Sequence, residues 1–286
     1  MLRRLKPEEF DLYVDFAYVL ACNLTRSGFP TYADGVKTRE DFIRMSRRAL
    51  TDDTEEILLF EQEGKVSGWI HYYTIPEDRY LQTCAFCIAE GTREALAEFI
   101  NFARERFPGY NCYLGFSTEN TEATAALDGW GWERIEETYC DALDFASYEL
   151  QAEHPDVIGV TKDNYPLFAA LHDQNTDMYW NTERIYEALD RWGIFLLLRD
   201  GSEKAAGAIY YRLWDDTSMS EIFGVDYPGG VYDGEVYRML LTAVLNAEKR
   251  RGVRHMVCFH EQEEQSDALA CGFRCVSPYV CFKKQF

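Results

Sequence analysis

The residues best placed to do chemistry lie in the loop Asp226-Tyr227-Pro228-Gly229-Gly230-Val231-Tyr232-Asp233-Gly234, which feeds directly into a helical pattern. A turn-rich loop of this kind presents a helix N-terminus and its free backbone N–H groups, which is the chemistry of anion binding. Other candidates are weaker. Cys84 and Cys87 have a metal-like spacing but fall in an apolar strand-like run with no second Cys/His pair, and residues three apart on a regular strand face opposite sides. No metal site is therefore expected. His71, His154, His172, His255 and His260 form no helical pair at metal spacing, and Cys258 near His260 has no evident orienting partner for nucleophilic work.

The elements that must hold the loop are legible on both sides. Ser218–Val225, with Glu221 between Ser220 and Ile222, reads as a strand. Val236, Met239, Leu240, Ala243, Val244 and Ala247 recur at spacings of three and four, giving an amphipathic helix from Glu235 to Arg251 that Gly252 stops. His255–Phe259 is a second, apolar strand, so the unit is strand, loop, helix, strand.

The same order occurs earlier in the chain. Leu2–Leu5 and a following helix match Val157–Val160 and its helix. The hairpin Glu56–Phe60, Glu63-Gly64, Val66–Tyr73 matches Ile194–Leu198, Asp200-Gly201, Ala205–Tyr211. Leu81–Ile88, a turn at Gly91, a helix from Arg93 to Arg106 and the strand Asn111–Phe116 match the stretch from Ser218 to Phe259. Ala123–Trp132 resembles Ser266–Phe273, and Tyr139–Phe145 resembles Tyr279–Lys283. A repeated order of elements implies two similar domains, 1–148 and 156–286, joined through the polar stretch Ala146–Asp156. The first carries a longer insert, Cys22–Gly35, between its opening helix and the helix near Thr38–Leu50; the second has only Asn175–Trp180 there.

Composition bounds the function. The chain has 286 residues, 47% hydrophobic and 15% aromatic, enough for two packed cores. Its net charge of −20, with Lys249-Arg250-Arg251 the longest basic run, argues against a nucleic-acid partner. No apolar run approaches a membrane span, and Met1–Pro7 lack the apolar core of a signal peptide. The expectation is a cytoplasmic protein, off the membrane, with its 9 cysteines reduced.

This order of elements, found twice, resembles the GNAT superfamily of acyl-CoA-dependent N-acyltransferases. The resemblance implies an α/β (α+β mixed sheet) fold: two tandem GNAT-like domains, each a mixed, splayed sheet flanked by helices, with acyl-CoA entering between the two central strands. It implies acetyl-CoA or another acyl-CoA as co-substrate, a small-molecule amine as acceptor, and a possible homodimer. Backbone donors for the pyrophosphate would come from Gly234, Glu235, Val236 and Tyr237 with Arg238 nearby, and Val225 would polarise the thioester carbonyl. Glu221 matches the strand carboxylate that serves relatives as general base; its alternative role is an outward charge opposing aggregation.

Several positions depart from the family pattern. Each half has one glycine in the pyrophosphate loop, Gly91 or Gly234, which tight turning alone also explains. Asn120 and Ala123 match the family's Asn and Ala, but Leu127 and Ala268 stand where relatives have a proton-donating Tyr. Asn120 has an alternative role as a helix N-cap. The first half offers Gln82, Thr83 and Cys84 near the carboxylate position, so the second half is the better catalytic candidate and the first the degenerate one. The rival expectation is a non-catalytic GNAT-like binding or scaffold protein that has lost acyl-CoA.

Overall fold

Glu63 and Gly64, both at positive φ (49° and 77°), reverse the chain between its first two long strands, as the Glu-Gly pair predicts. A computed structural model describes the chain except for Asp177, residues 200–203, Asp215 and Asp216; the turn expected at Asp200-Gly201 lies outside the described residues. In chain order the first half runs β1 (Leu2–Arg4), α1 (Phe10–Ala21), α2 (Arg39–Arg47), β2 (Glu55–Gln62), β3 (Lys65–Ile75), β4 (Tyr80–Ile88), α3 (Thr92–Arg106), β5 (Asn111–Ser117), α4 (Thr121–Gly129) and β6 (Glu133–Asp144). The second runs β7 (Val157–Gly159), α5 (Tyr165–His172), α6 (Thr182–Glu187), β8 (Trp192–Leu198), β9 (Ala205–Arg212), β10 (Met219–Asp226), α7 (Gly234–Arg251), β11 (His255–His260), α8 (Gln262–Ala270) and β12 (Arg274–Gln285). The repeat read from the sequence is this correspondence.

The strands do not divide at the middle of the chain. One compact unit comprises Met1–Thr138 with Val276–Phe286, and the other Tyr139–Cys275. Within the first, strands are ordered β1-β2-β3-β4-β5-β12; β4 and β5 are parallel and the other pairs antiparallel. Within the second the order is β6-β11-β10-β9-β8-β7, with β10 and β11 parallel. Each half therefore gives the later part of its last strand, 139–144 of β6 or 276–285 of β12, to the other unit. Contiguous segments 1–148 and 156–286 would each lack a strand that its compact unit contains. Val280 and Phe282 of β12 are buried in the first unit's core, each contributing roughly 1.5–3 kcal/mol by burial.

Each sheet has two buried faces. In the first unit α3 and α4 cover a core holding Phe86, Phe99 and Phe116, while α1 and α2 cover one holding Phe10, Phe42 and Trp69. In the second, α7 and α8 cover Ile222, Tyr237 and Met256, and α5 and α6 cover Phe168, Trp192 and Tyr210. Helix ends follow local chemistry. Thr38 caps α2 in a reciprocal box with Asp41, and Gly252 (φ 80°) ends α7 in a left-handed conformation. No helix among the described residues is long and apolar enough to cross a membrane.

Candidate functional site

A β-bulge followed by loss of pairing marks the same place in both units. In the first, His71 faces Ala85 and Tyr72 faces Thr83, leaving Cys84 as the extra residue, and β4 pairs with β5 only as far as Gln82–Tyr113. In the second, Ile222 faces Tyr211 and Gly224 faces Tyr210, leaving Phe223 as the extra residue, and β10 pairs with β11 only as far as Ile222–Cys258. Beyond these points parallel neighbours diverge into a notch.

The first notch is closed by the chain itself. Residues 26–29, from the insert after α1, enter it as an added strand segment: Ser27 bridges Cys87 and Gly28 bridges Phe116. The Ile88 N–H donates to the Arg26 carbonyl (2.9 Å), the Gly28 N–H to Phe86 (2.8 Å) and the Phe29 N–H to Gly115 (2.9 Å). Glycine is required there, since a Cβ on Gly28 would sit 3.0 Å from the Gly115 oxygen and 3.1 Å from Phe86 Cβ. Asn120 does two jobs. Its side-chain oxygen caps α4 by accepting from the Ala123 N–H (3.2 Å), and its amide donates to the Ser27 carbonyl (3.3 Å). At the start of α3 the Arg93 N–H donates to the Glu122 carboxylate (3.2 Å), and Gly91 adopts φ 72°.

The second notch has no such insert among the described residues. Phe223, Gly224 and Val225 are partly exposed although they lie on an interior strand of the sheet. Both bordering strands end in an ion pair. At the end of β10, His172 Nδ1 lies 2.7 Å from Asp226 and its Nε2 2.8 Å from the Trp180 carbonyl. At the end of β11, His260 Nε2 lies 2.9 Å from the fully buried Asp141, an ion pair off-line for a hydrogen bond, and its Nδ1 3.1 Å from the Glu261 carbonyl. Burial alone would lower either pKa, but the carboxylate and carbonyl partners outweigh it and raise both above the usual histidine value.

Helix α7 points its N-terminus at this notch's loop, as expected, but its donors are engaged. Asp233 caps the helix, its carboxylate accepting from the N–H groups of Glu235 (3.0 Å) and Val236 (3.2 Å), while the Tyr237 N–H donates to the Asp233 carbonyl. Arg238 Nη1 is bound to Asp267 (2.6 Å), and Arg199 reaches Asp233 (3.3 Å) and Glu235 (3.5 Å). A Cβ on Gly234 would collide with Asp267 Oδ2. The Val236 and Tyr237 side chains are core; burial foremost holds the Tyr237 phenol well above its usual pKa, with the Cys258 thiol beside it.

Glu221 sits two residues before the bulge, as Gln82 does in the first unit, where the Tyr73 and Tyr80 hydroxyls both donate to Gln82. Its neighbours Ser220 and Ile222 are buried, Ile222 in the core beneath α7, so alternation turns half-buried Glu221 toward the α5–α6 face. Across the sheet it is in register with Arg212, and Arg212 with Trp192, which makes a row on one face. The Arg212 guanidinium lies over the rings of Trp180 and Trp192, 5.0 Å from each, and of Trp214 at 5.8 Å. Phe223 stands edge-on to Trp192 at 5.1 Å.

Two constellations went unread in the sequence. Glu55, His71 and Cys84 bring a carboxylate oxygen, an imidazole nitrogen and a thiol within 4.8 Å of one another, the bulge having turned Cys84 to the same face as Cys87, contrary to the alternation expected of the pair. Glu55 is already engaged by His71 (2.8 Å) and by Arg48. The His172–Asp226 and His260–Asp141 pairs join residues far apart in sequence and left no local signal.

Comparison with known proteins agrees with this geometry at the level of fold. A GCN5-related N-acetyltransferase from Sphaerobacter thermophilus is similar with a TM-score of 0.65 at 13% identity, over 99% of this chain and 95% of that one. A tandem GNAT protein from the clavulanic acid biosynthesis pathway gives 0.56 at 13%, over 99% and 98%. A GNAT-family acetyltransferase from Colwellia psychrerythraea gives 0.51 at 11%, over the full length of both. No protein-family model and no curated protein matches the sequence. The chain has the tandem GNAT fold.

Proposed function

We propose that the protein moves an acetyl or similar acyl group from a CoA thioester to a small amine, at the notch of the second unit, in the cytoplasm. The observation that carries this is the contrast between notches: the first is laced shut by residues 26–29, and the second keeps the backbone of 223–226 without a strand partner toward β11 among the described residues. In this reading a neutral amine attacks the thioester carbonyl carbon, the C–S bond breaks, and the departing thiolate takes a proton. Glu221, or a water it holds, accepts the proton lost by nitrogen, and the N–H of Val225 polarises the carbonyl. Tyr237, in the first turn of α7, holds its buried phenol beside the Cys258 thiol of β11. The phenol is protonated at neutral pH, and in this reading it gives the departing thiolate its proton.

One observation favours the rival, a GNAT-like protein that no longer binds acyl-CoA: the Asp233 carboxylate already holds the first N–H groups of α7, where a pyrophosphate would bind. Calorimetric titration with acetyl-CoA separates the two. We expect one equivalent to bind, and the Asp233→Asn variant, which keeps a cap but removes the charge, to bind about tenfold more tightly. A folded protein that binds no acetyl-CoA, with Asp233→Asn equally silent, would leave the rival standing.

A further inference from the structure

We propose that the acceptor carries a carboxylate: the row Glu221, Arg212, Trp192 forms a subsite for a free amino acid, with the amine at Glu221 and the carboxylate at Arg212. This deepens the acyltransferase reading and rests on it for the reaction, though not for binding.

The inference starts from donors without acceptors. Arg212 Nη1 and Trp192 Nε1 are both buried and without a hydrogen-bond partner, and Trp192 is only 4% exposed. Neither group can accept, so only an acceptor satisfies them. Arg212 makes no ion pair among the described residues. Burial first, and then the neighbouring Arg191, depresses its pKa, with Asp190 offsetting them only in part. Unpaired buried donors are costly, and a planar guanidinium with an adjacent indole N–H fits a planar carboxylate.

The spacing specifies the rest. Glu221 and Arg212 are register partners, so their Cβ atoms stand about 4.5–5.5 Å apart. One small molecule can therefore address both side chains, and amino acids whose ammonium and carboxylate are joined by one to three carbons are the range to test. Trp192, edge-on to both Trp180 and Phe223, forms with them an apolar wall for its side chain. The bulge at Phe223 places this row at the mouth of the notch, so the amine lies beside the proposed acyl group.

The test is a thermal-shift and calorimetric panel on the full chain without acyl-CoA. It uses the α-amino acids, β-alanine and γ-aminobutyrate, each beside its carboxamide and its decarboxylated amine. At least one free amino acid should bind tenfold or more tightly than its carboxamide. Arg212→Leu should abolish that preference, Arg212→Lys should retain part of it, and Trp192→Phe, which keeps the ring but loses the N–H, should weaken it severalfold. If carboxamides or plain amines bind as well as the acids, or no acid binds, the proposal is overturned, whatever acetyl-CoA does. If an acid binds through Arg212 but acetyl-CoA neither binds nor yields free CoA, the acyltransferase reading fails and the carboxylate site stands.

Discussion

The two notches lie at equivalent places in the repeat and are kept open or shut by different means. In the first unit the diverging strands are tied together by peptide hydrogen bonds to residues 26–29, so the backbone that an extended ligand would use is already satisfied. In the second, the strands part and each is braced at its end by a histidine and a carboxylate. Peptide lacing is insensitive to pH and leaves no room; ion-pair bracing titrates and leaves the edge of β10 accessible. The insert itself supplies the hydrogen bonds that the diverging strands of the first notch would otherwise lack.

The most severe way to break the comparison is to remove residues 276–286. The Tyr279 ring covers Gly115, whose carbonyl holds Phe29, and lies 4.7 Å from the Phe29 ring. With Val280 and Phe282 also gone, we expect the remaining chain to lose the first unit's cooperative unfolding transition; a two-transition melt matching the intact protein would contradict the strand exchange.

Next in size is Glu221→Gln, which should lower kcat by about 10²–10⁴-fold while acetyl-CoA affinity stays within about threefold, the signature of a lost general base. An unchanged kcat would move the base elsewhere. Gly28→Val tests the lacing. With only 3.0 Å to the Gly115 oxygen, the segment must shift, at a cost of about 1–3 kcal/mol read as a lower denaturant midpoint. Acetyl-CoA stoichiometry should remain one; two equivalents would mean that the insert alone closes the first notch.

The smallest effect is the pH dependence. His172 and His260 have folded pKa values raised above about 6.5. Their stabilisation is therefore complete below the unfolded value and declines as pH rises through the folded values. Amide exchange, corrected for its intrinsic pH dependence, should accelerate in β10 and β11 but not in β4 and β5 as pH is raised from about 6 to 9. His172→Gln and His260→Gln should flatten that response, and equal acceleration in both units would remove the distinction.

Much of the fold was legible because it is encoded locally. The stop at Gly252, the Glu63-Gly64 turn and the repeated order of strands and helices all follow from neighbouring residues. Glu221 was singled out differently, by matching the strand carboxylate of the family that the chain resembles, flanked by Ser220 and Ile222. What escaped depends on register or on distance along the chain. Nothing in Glu133–Asp144 or Arg274–Gln285 says which β-strand each will join, because alternation fixes a face and not a partner. The bulge at Cys84 changes that residue's face without a glycine to announce it. Nothing in the insert 22–35 shows that Ser27 and Gly28 become buried, strand-like backbone.

The exchange of closing strands also orders the protein's birth. Residues 276–286 leave the ribosome only after all of the second unit has been made, yet the first unit needs them beside β5. The N-terminal part of the nascent chain must wait through the synthesis of residues 139–275 with one side of β5 uncovered. The second unit, contiguous in sequence, can close as soon as β11 meets Tyr139–Asp144. Domains ordinarily mature from the N-terminus onward as synthesis proceeds. Here the unit begun first is the one finished last.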